Sequence, residues 1–343
     1  MKVSKISLKP FNNPVFLRNQ IFNSLRVDLS IFSNLRKRLL EKGISIYTID
    51  DVRSLDSDVD IFLDAPYPWK VYLWKRIILN KINRNRKNIL FCFEPPLVDP
   101  FSHMKLLHLM FDLVYVWDDK IKFNGKYRKF FMPNSNYGLE NIHKKFHQKT
   151  KLLALINSNW TPFWPFYMIA GFPRELYSER IKLIDYFDNT ASNTFSLYGK
   201  GWNQPQRYNI YQKLFGYKKY KTFRGATNYQ EKLKVLSDTK FCLCFENSIE
   251  EGYVSEKIFD CFKSRCVPIY LGAPNIVDYI PSECFIDYRR FNNIGELQSF
   301  LKSINEEDYN RYIYNIEKLI NSSTFVDRWF EKGFEKKIIE SIQ

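Results

Sequence analysis

The sequence has no apolar run approaching the roughly 20 residues that a membrane-spanning helix requires. Its 343 residues hold only 12 glycines, and neither G-x-G-x-x-G nor G-x-x-x-x-G-K-[ST] occurs, so no glycine-rich signature marks a nucleotide site. Metal ligands are scarce as well. Of the six cysteines, Cys242 and Cys244 form a C-x-C pair on a predicted strand, with both side chains on one face. Zinc would need further ligands at matching spacing, and the four histidines are not arranged to supply them. Most of the cysteines sit inside apolar runs, where a reduced thiol behaves as a small hydrophobe. The opening MKVSKISLKPFNNPVF sets lysine inside what would be the apolar core of a signal peptide, so no export signal is read and a cytoplasmic protein is expected. Internal repeats and low-complexity tracts are lacking too.

Acidic residues are in deficit. Against 52 Lys and Arg stand 37 Asp and Glu, a net charge of +15 that suits nucleic acid, an anionic membrane surface or a phosphate-bearing substrate. The densest basic piece, Lys213–Arg224 (KLFGYKKYKTFR), interleaves aromatics that could stack on bases. A solvated face with half-buried tyrosines is the expected reading of it.

What is present is an alternation of helical and strand patterns, which favours parallel sheets in an α/β fold. In the first half, residues 29–42 carry apolar positions at helical spacing and end at Gly43, a C-cap candidate. Strands are predicted over 44–49, 60–63, 88–93 and 113–117, and a helix over 69–79 followed by a basic turn at 80–88. The strand at 88–93 stops at Glu94-Pro95-Pro96, because two prolines cannot continue a ladder. The polar stretch 143–151 separates the halves, which gives domains over 1–150 and 151–325 facing a cleft, with a C-terminal helix over 326–343. Strands 152–156, 195–198, 240–246 and 267–271 alternate with helices at 175–187, 229–237 and 255–264. Helices at 294–304 and 309–319 follow, and the terminal amphipathic helix is interrupted at Gly333.

Residues 241–272 (FCLCFENSIEEGYVSEKIFDCFKSRCVPIYLG) form one strand–loop–helix–strand unit with a right-handed crossover expected. Glu246, Asn247 and Ser248 cluster where the first strand gives out, the edge at which such sheets bind ligands. Gly252 lets the loop turn and Ser255 is an N-cap candidate, so the helix N-terminus faces the same edge with N–H groups suited to phosphate. Lys257 in the first turn opposes the helix dipole, and an anionic ligand would justify it. An ordinary core strand followed by a solvated helical turn explains these residues equally well. The physics alone reaches an anion-binding α/β enzyme.

The strings CFENS, GYVSEK and VPIYLGAP resemble the donor-binding signature of the α1,3/α1,4-fucosyltransferases of glycosyltransferase family 10. Weaker similarity extends back through YGKGW, GFPRELYSERIKLIDYF and KLLALINSNW, and the first half is similar only in outline and at FEPP. Ser255 stands where the family usually has threonine, and the acidic Ile249-Glu250-Glu251 loop is unusual. The resemblance implies a GT-B fold of two Rossmann-type domains. It implies transfer of L-fucose with inversion from GDP-β-L-fucose to an oligosaccharide or lipid-linked glycan, such as the GlcNAc of a LacNAc-type acceptor through an α1,3 or α1,4 bond. Glu94 then matches the base. Arg180 and Lys257 match cations on the diphosphate. Asn247, Tyr253 and Glu256 match residues contacting the ribose and fucose, with Glu256 a second catalytic carboxylate and Ser255 completing the donor set. No metal is required, although a divalent ion can stimulate. Asp58-Val59-Asp60 is a D-x-D, but it lies far from the signature, and a hard cation needs further oxygen ligands. No nucleic acid is expected as partner. A transferase of the same fold using another nucleotide sugar, and a basic nucleic-acid-binding protein, are the alternatives. The tail 326–342 is expected to pack back across the first domain, the alternative being weak peripheral attachment to the anionic inner face of a membrane.

Overall fold

A computed structural model of the chain describes residues 3–83, 86–139, 144–206 and 210–343. Arg84 and Asn85 of the predicted basic turn, and His143 of the predicted domain boundary, lie outside the described residues. The chain divides into two compact units, one of residues 1–137, 164–173 and 326–343, the other of 138–163 and 174–325.

The first unit is built on a parallel sheet of β1 (Lys5–Lys9), β2 (Ser45–Thr48), β3 (Val59–Leu63), β4 (Lys87–Phe91), β5 (Leu113–Val116) and β6 (Tyr127–Lys129), in the order β2-β1-β3-β4-β5-β6. Every residue of β3 is buried, as expected of a strand covered on both faces. The helix Ser30–Glu41 covers one face with Ile31, Phe32, Leu35 and Leu39. It ends in a Schellman turn. The Gly43 N–H bonds to Leu40 O at 2.9 Å and the Ile44 N–H to Leu39 O at 2.9 Å, with Gly43 at φ 75° where a side chain would be strained. The predicted helix over 69–79 runs later, over Val71–Asn83.

The C-terminal segment completes this unit. It is two helices, Ser323–Trp329 and Glu331–Ile342, broken at Phe330 rather than at the predicted Gly333. A Cβ at Gly333 would lie 2.6 Å from the carbonyl oxygens of Asp327 and Arg328, so the glycine lets the second helix fold tightly against the first. Phe334, Ile338 and Ile342 are buried in the core beside Phe32 and Phe91. Glu331 accepts from Asn34 (2.9 Å) and Glu335 from Arg38 (2.8 Å). The apolar face of this helix therefore belongs to the protein core.

The second unit holds β7 (Lys151–Ile156), β8 (Phe195–Tyr198), β9 (Thr239–Phe245), β10 (Val267–Leu271) and β11 (Ile286–Asp287), all parallel, in the order β11-β10-β9-β7-β8. Residues 144–150 group with this unit and not with the first. Lys149 Nζ donates to Ser237 O at 2.7 Å, Thr150 to Asp238 at 2.7 Å, and Phe146 packs on Tyr309 with ring centroids 5.2 Å apart. In the basic segment 213–224, Thr222 is fully buried, and the backbone of Thr222 and Arg224 hydrogen-bonds to Leu197 of β8. Part of that segment is therefore edge structure.

The D-x-D pair lies at the amino end of β3 and is consumed by the fold. Asp58 accepts from the Ser4 and Lys5 N–H groups at 2.7 and 2.9 Å. Asp60, with no solvent exposure, accepts from Arg76 at 2.6 and 2.7 Å, Asn80 at 2.8 Å and Ser57 at 2.9 Å. Asp60→Ala leaves Arg76 without its counter-charge and should cost about 3 kcal/mol of stability in urea unfolding. A loss below roughly 0.5 kcal/mol, the scale of an ordinary surface change, would contradict a structural role for this carboxylate.

Candidate active site

In the second unit the connection after β7 runs to β8 on one side, and that after β9 runs to β10 on the other. The sheet's switch point therefore falls between the carboxyl ends of β7 and β9, where ligands of such sheets bind. Glu246 is the first residue beyond β9 and has no solvent exposure. Its carboxylate accepts from the Ser255 N–H at 2.8 Å, the Ser255 hydroxyl at 2.6 Å and Lys257 Nζ at 3.1 Å. Ser255 occupies the N-cap position of the helix Glu256–Lys263 but makes no side-chain cap; its hydroxyl turns to Glu246 and accepts from Lys257 Nζ at 2.8 Å. The negative charge expected of a ligand at this helix N-terminus is thus supplied in part by Glu246 itself, which suits the helix dipole. Gly272 makes room for it, since a side chain there would collide with Glu246 Cγ and the Tyr270 hydroxyl.

Two cations meet at this strand end, Lys257 on the carboxylate and Arg180 on the backbone carbonyls. Lys257 is 13% exposed at its side chain, so it remains reachable. Burial lowers its pKa, but the charges of Glu246 and Glu256 outweigh burial and hold it above the ordinary value. Arg180, in the helix Tyr177–Thr190, is buried. Its Nη2 donates to the carbonyls of Phe245 (2.6 Å) and Glu246 and to Asn247 Oδ1 at 3.2 Å, and its guanidinium lies 4.8 Å above the Tyr177 ring. Arg180 Nε and Ser248 Oγ are buried with no hydrogen-bond partner, an uncommon state for polar atoms.

The structure thus gathers Arg180, Asn247, Ser255, Glu256 and Lys257 around the end of β9. Glu256 is half-exposed, 3.8 Å from Lys257. Partial burial would raise its carboxyl, yet Lys257 and Lys232 bring it down to about 2. Tyr253 is placed differently: at 1% exposure it is buried in the core. The organising role of Glu246 was not evident in the sequence, where it reads only as one polar residue in a strand-end cluster.

Glu94 belongs to the first unit, three residues beyond β4, and is half-buried. Its N–H donates to Asp64 Oδ1 at 3.2 Å. Its carbonyl accepts from His103 Nε2 at 2.7 Å, and burial pushes the His103 imidazole down to about 4, so near neutral pH it is uncharged with the proton on Nε2.

Replacing Glu246 by Gln keeps the shape but removes the charge that Lys257 and Arg180 face. Urea unfolding should show a loss of about 1–3 kcal/mol, the range for unsatisfying a buried charged partner. An unchanged midpoint would show that these cations do not need the carboxylate.

Residues 187–328 match the C-terminal region of glycosyltransferase family 10 (fucosyltransferase). An α-(1,4)-fucosyltransferase of Arabidopsis thaliana is 39% identical over 72 residues, 21% of this chain and 18% of its own. The α-(1,3)-fucosyltransferase FucT of Helicobacter pylori is 39% identical over 75 residues, 22% of this chain and 16% of its own. The aligned stretch thus spans less than a fifth of each of these relatives. A solved α1,3-fucosyltransferase is similar over 99% of this chain and 90% of that one, with a TM-score of 0.58 at 17% identity, a likeness of fold. The fold is the GT-B arrangement that the resemblance implied. Asn247, Tyr253, Ser255, Glu256 and Lys257 lie inside the matched span, while Arg180 and Glu94 lie outside it. The likeness to glycosyltransferase family 10 thus rests on residues 187–328, which hold most of the residues at the end of β9.

Proposed function

We propose that this chain is an inverting fucosyltransferase, moving L-fucose from GDP-β-L-fucose to an oligosaccharide hydroxyl, the GlcNAc of a LacNAc-type glycan through an α1,3 or α1,4 bond. The observation that carries this reading is the convergence of Arg180 and Lys257 at the switch point of β7 and β9, within or beside the span matched to the family. A diphosphate arriving there finds two cations and the unpartnered donor Arg180 Nε. Asn247 and Glu256 are the polar groups beside them for the ribose and the sugar.

In the reaction, Glu94 takes the proton of the acceptor hydroxyl as its oxygen forms the new bond to the fucose anomeric carbon. The bond from that carbon to the diphosphate oxygen breaks, and GDP leaves with the added negative charge. A displacement on one face inverts the β-fucoside to α. The base typically contributes a factor of about 10²–10⁴. Lys257 and Arg180 stabilise the leaving charge, from a site largely withdrawn from water where such contacts are strong. They perform the work that a divalent ion does in D-x-D transferases, so the reading requires none.

The acceptor in this reading is an oligosaccharide or a lipid-linked glycan met at the cytoplasmic face of a membrane. No helix among the described residues is long and apolar enough to cross a membrane. Any attachment would rest on the basic surface, because the apolar side chains of the C-terminal helix are buried. The phosphate and ribose contacts do not by themselves define the hexose, which leaves another nucleotide sugar as the rival donor.

Lys257→Ala should weaken GDP binding in calorimetry by about 1.5–3 kcal/mol, tenfold to over a hundredfold in Kd. Wild-type binding and turnover should persist in EDTA. Unchanged GDP affinity in the variant, or turnover abolished by EDTA and restored by manganese, would contradict the reading.

A further inference from the structure

The first unit has a switch point of its own, between β1 and β3, since the chain leaves β1 towards β2 and β3 towards β4. Three charged side chains meet there almost without solvent: Lys9 at 4% exposure, Asp64 at 2% and Asp99 at 2%. Lys9 Nζ does not point outward. It donates to the carbonyls of Leu63 and Asp64, at 3.1 and 3.0 Å, and to Asn12 Oδ1 at 2.8 Å. The Asn12 amide in turn donates to Ala65 O at 3.1 Å and to Asp99 at 3.2 Å. Ser102 Oγ donates to Asp99 at 3.1 Å and accepts from the Ala65 N–H at 2.7 Å. The peptide units of residues 63–65 are therefore held from two sides.

What this network holds is an unusual backbone. Asp64 has φ 58°, in the left-handed region that few side chains other than Asn and Asp tolerate. In that conformation its N–H still pairs with Phe91 O at 2.9 Å, while its carboxyl reaches across to the end of β4. Asp64 Oδ1 accepts from both the Phe93 N–H (2.7 Å) and the Glu94 N–H (3.2 Å). The opposite end of residue 94 is held by His103 Nε2 on its carbonyl at 2.7 Å, and the Phe93 carbonyl by Trp117 Nε1 at 3.2 Å.

We infer that Asp64 and His103 are positioning residues for Glu94, clamping its backbone from the N–H and the carbonyl side so that its carboxylate is presented in one place. The inference rests on the reading of Glu94 as the base. Burying a carboxyl among other acids is costly. Burial first, then the charges of Asp99 and Glu94, raises the Asp64 carboxyl well above the usual carboxylate range. Either protonation state leaves Oδ1 an acceptor, so the clamp survives that shift. A base must sit within hydrogen-bond reach of the proton it removes, and displacement by about 1 Å can cost on the order of a hundredfold in rate.

The test uses the full chain with GDP-fucose and N-acetyllactosamine, with rates expressed per GDP-binding site from calorimetry. Asp64→Gly keeps the left-handed backbone and loses the acceptor; Asp64→Asn keeps both. His103→Ala, at a half-buried position, releases the carbonyl side without touching Asp64. Asp64→Gly and His103→Ala should each lower kcat by about tenfold to a hundredfold, with GDP affinity and the KM for GDP-fucose unchanged. Asp64→Asn should stay within a few-fold of wild type. A role in folding alone would reduce the number of GDP-binding sites but not kcat per site, and wild-type kcat per site in Asp64→Gly or His103→Ala overturns the role of that residue. Glu94→Gln separates the two levels. If it loses turnover while the clamp variants do not, the base stands and the clamp falls; if it keeps wild-type turnover, both fall.

Discussion

A carboxylate without solvent must be surrounded by donors or it costs several kcal/mol, and Glu246 is such a group at the end of β9. Most of the local structure at this edge of the sheet follows from meeting that requirement. The Ser255 N–H and hydroxyl and Lys257 Nζ all turn inward to it, which fixes the start of the helix Glu256–Lys263. Arg180 binds the backbone carbonyls on either side of the same strand end, and Gly272 leaves the room that the carboxylate occupies. With its counter-charge inside the protein, the pair of cations can be kept at the edge in the absence of ligand. In the proposed reading, a diphosphate arriving there competes with Glu246 for Lys257 instead of meeting a bare charge.

The same device recurs in the first unit with different residues. There too a buried acid just beyond a strand, Asp64, ties down a neighbouring strand end, and Lys9 and Asn12 secure it. In both units the side chains to which the proposal gives chemistry stand on backbone fixed by buried polar groups. This is what a site needs for reproducible geometry, and it explains why so much charge is buried near the carboxyl ends of both sheets.

The sequence made the regular elements legible where local and tertiary signals agree. The helix Tyr229–Ser237 begins at Asn228 with a capping box to Glu231, and β10 is an apolar run covered on both faces. It hid β1, whose KISLK carries lysine at both ends, because Lys9 is buried through a network that no local pattern announces. It hid β6 because three residues with an exposed arginine give too short a signal. Gly333 looked like a helix break but serves close packing, with the break at Phe330. At the site, the kinds of residue were legible through family resemblance, and their arrangement was not. The Ser255 hydroxyl serves Glu246 instead of the helix cap, and Tyr253 lies in the core. Asp64 carries no signature, because its importance comes from a left-handed φ and from the pairing of β3 with β4.

The central claim is that this chain moves fucose from GDP with inversion, and transfer itself tests it most directly. The protein is incubated with GDP-β-L-fucose carrying a ¹³C label at the anomeric carbon, with N-acetyllactosamine as acceptor and UDP-glucose in a parallel reaction, and the anomeric signals are followed by NMR. The account predicts release of GDP in step with a new α-fucoside signal and no transfer from UDP-glucose. A β-linked product, or transfer from UDP-glucose with none from GDP-fucose, would contradict it.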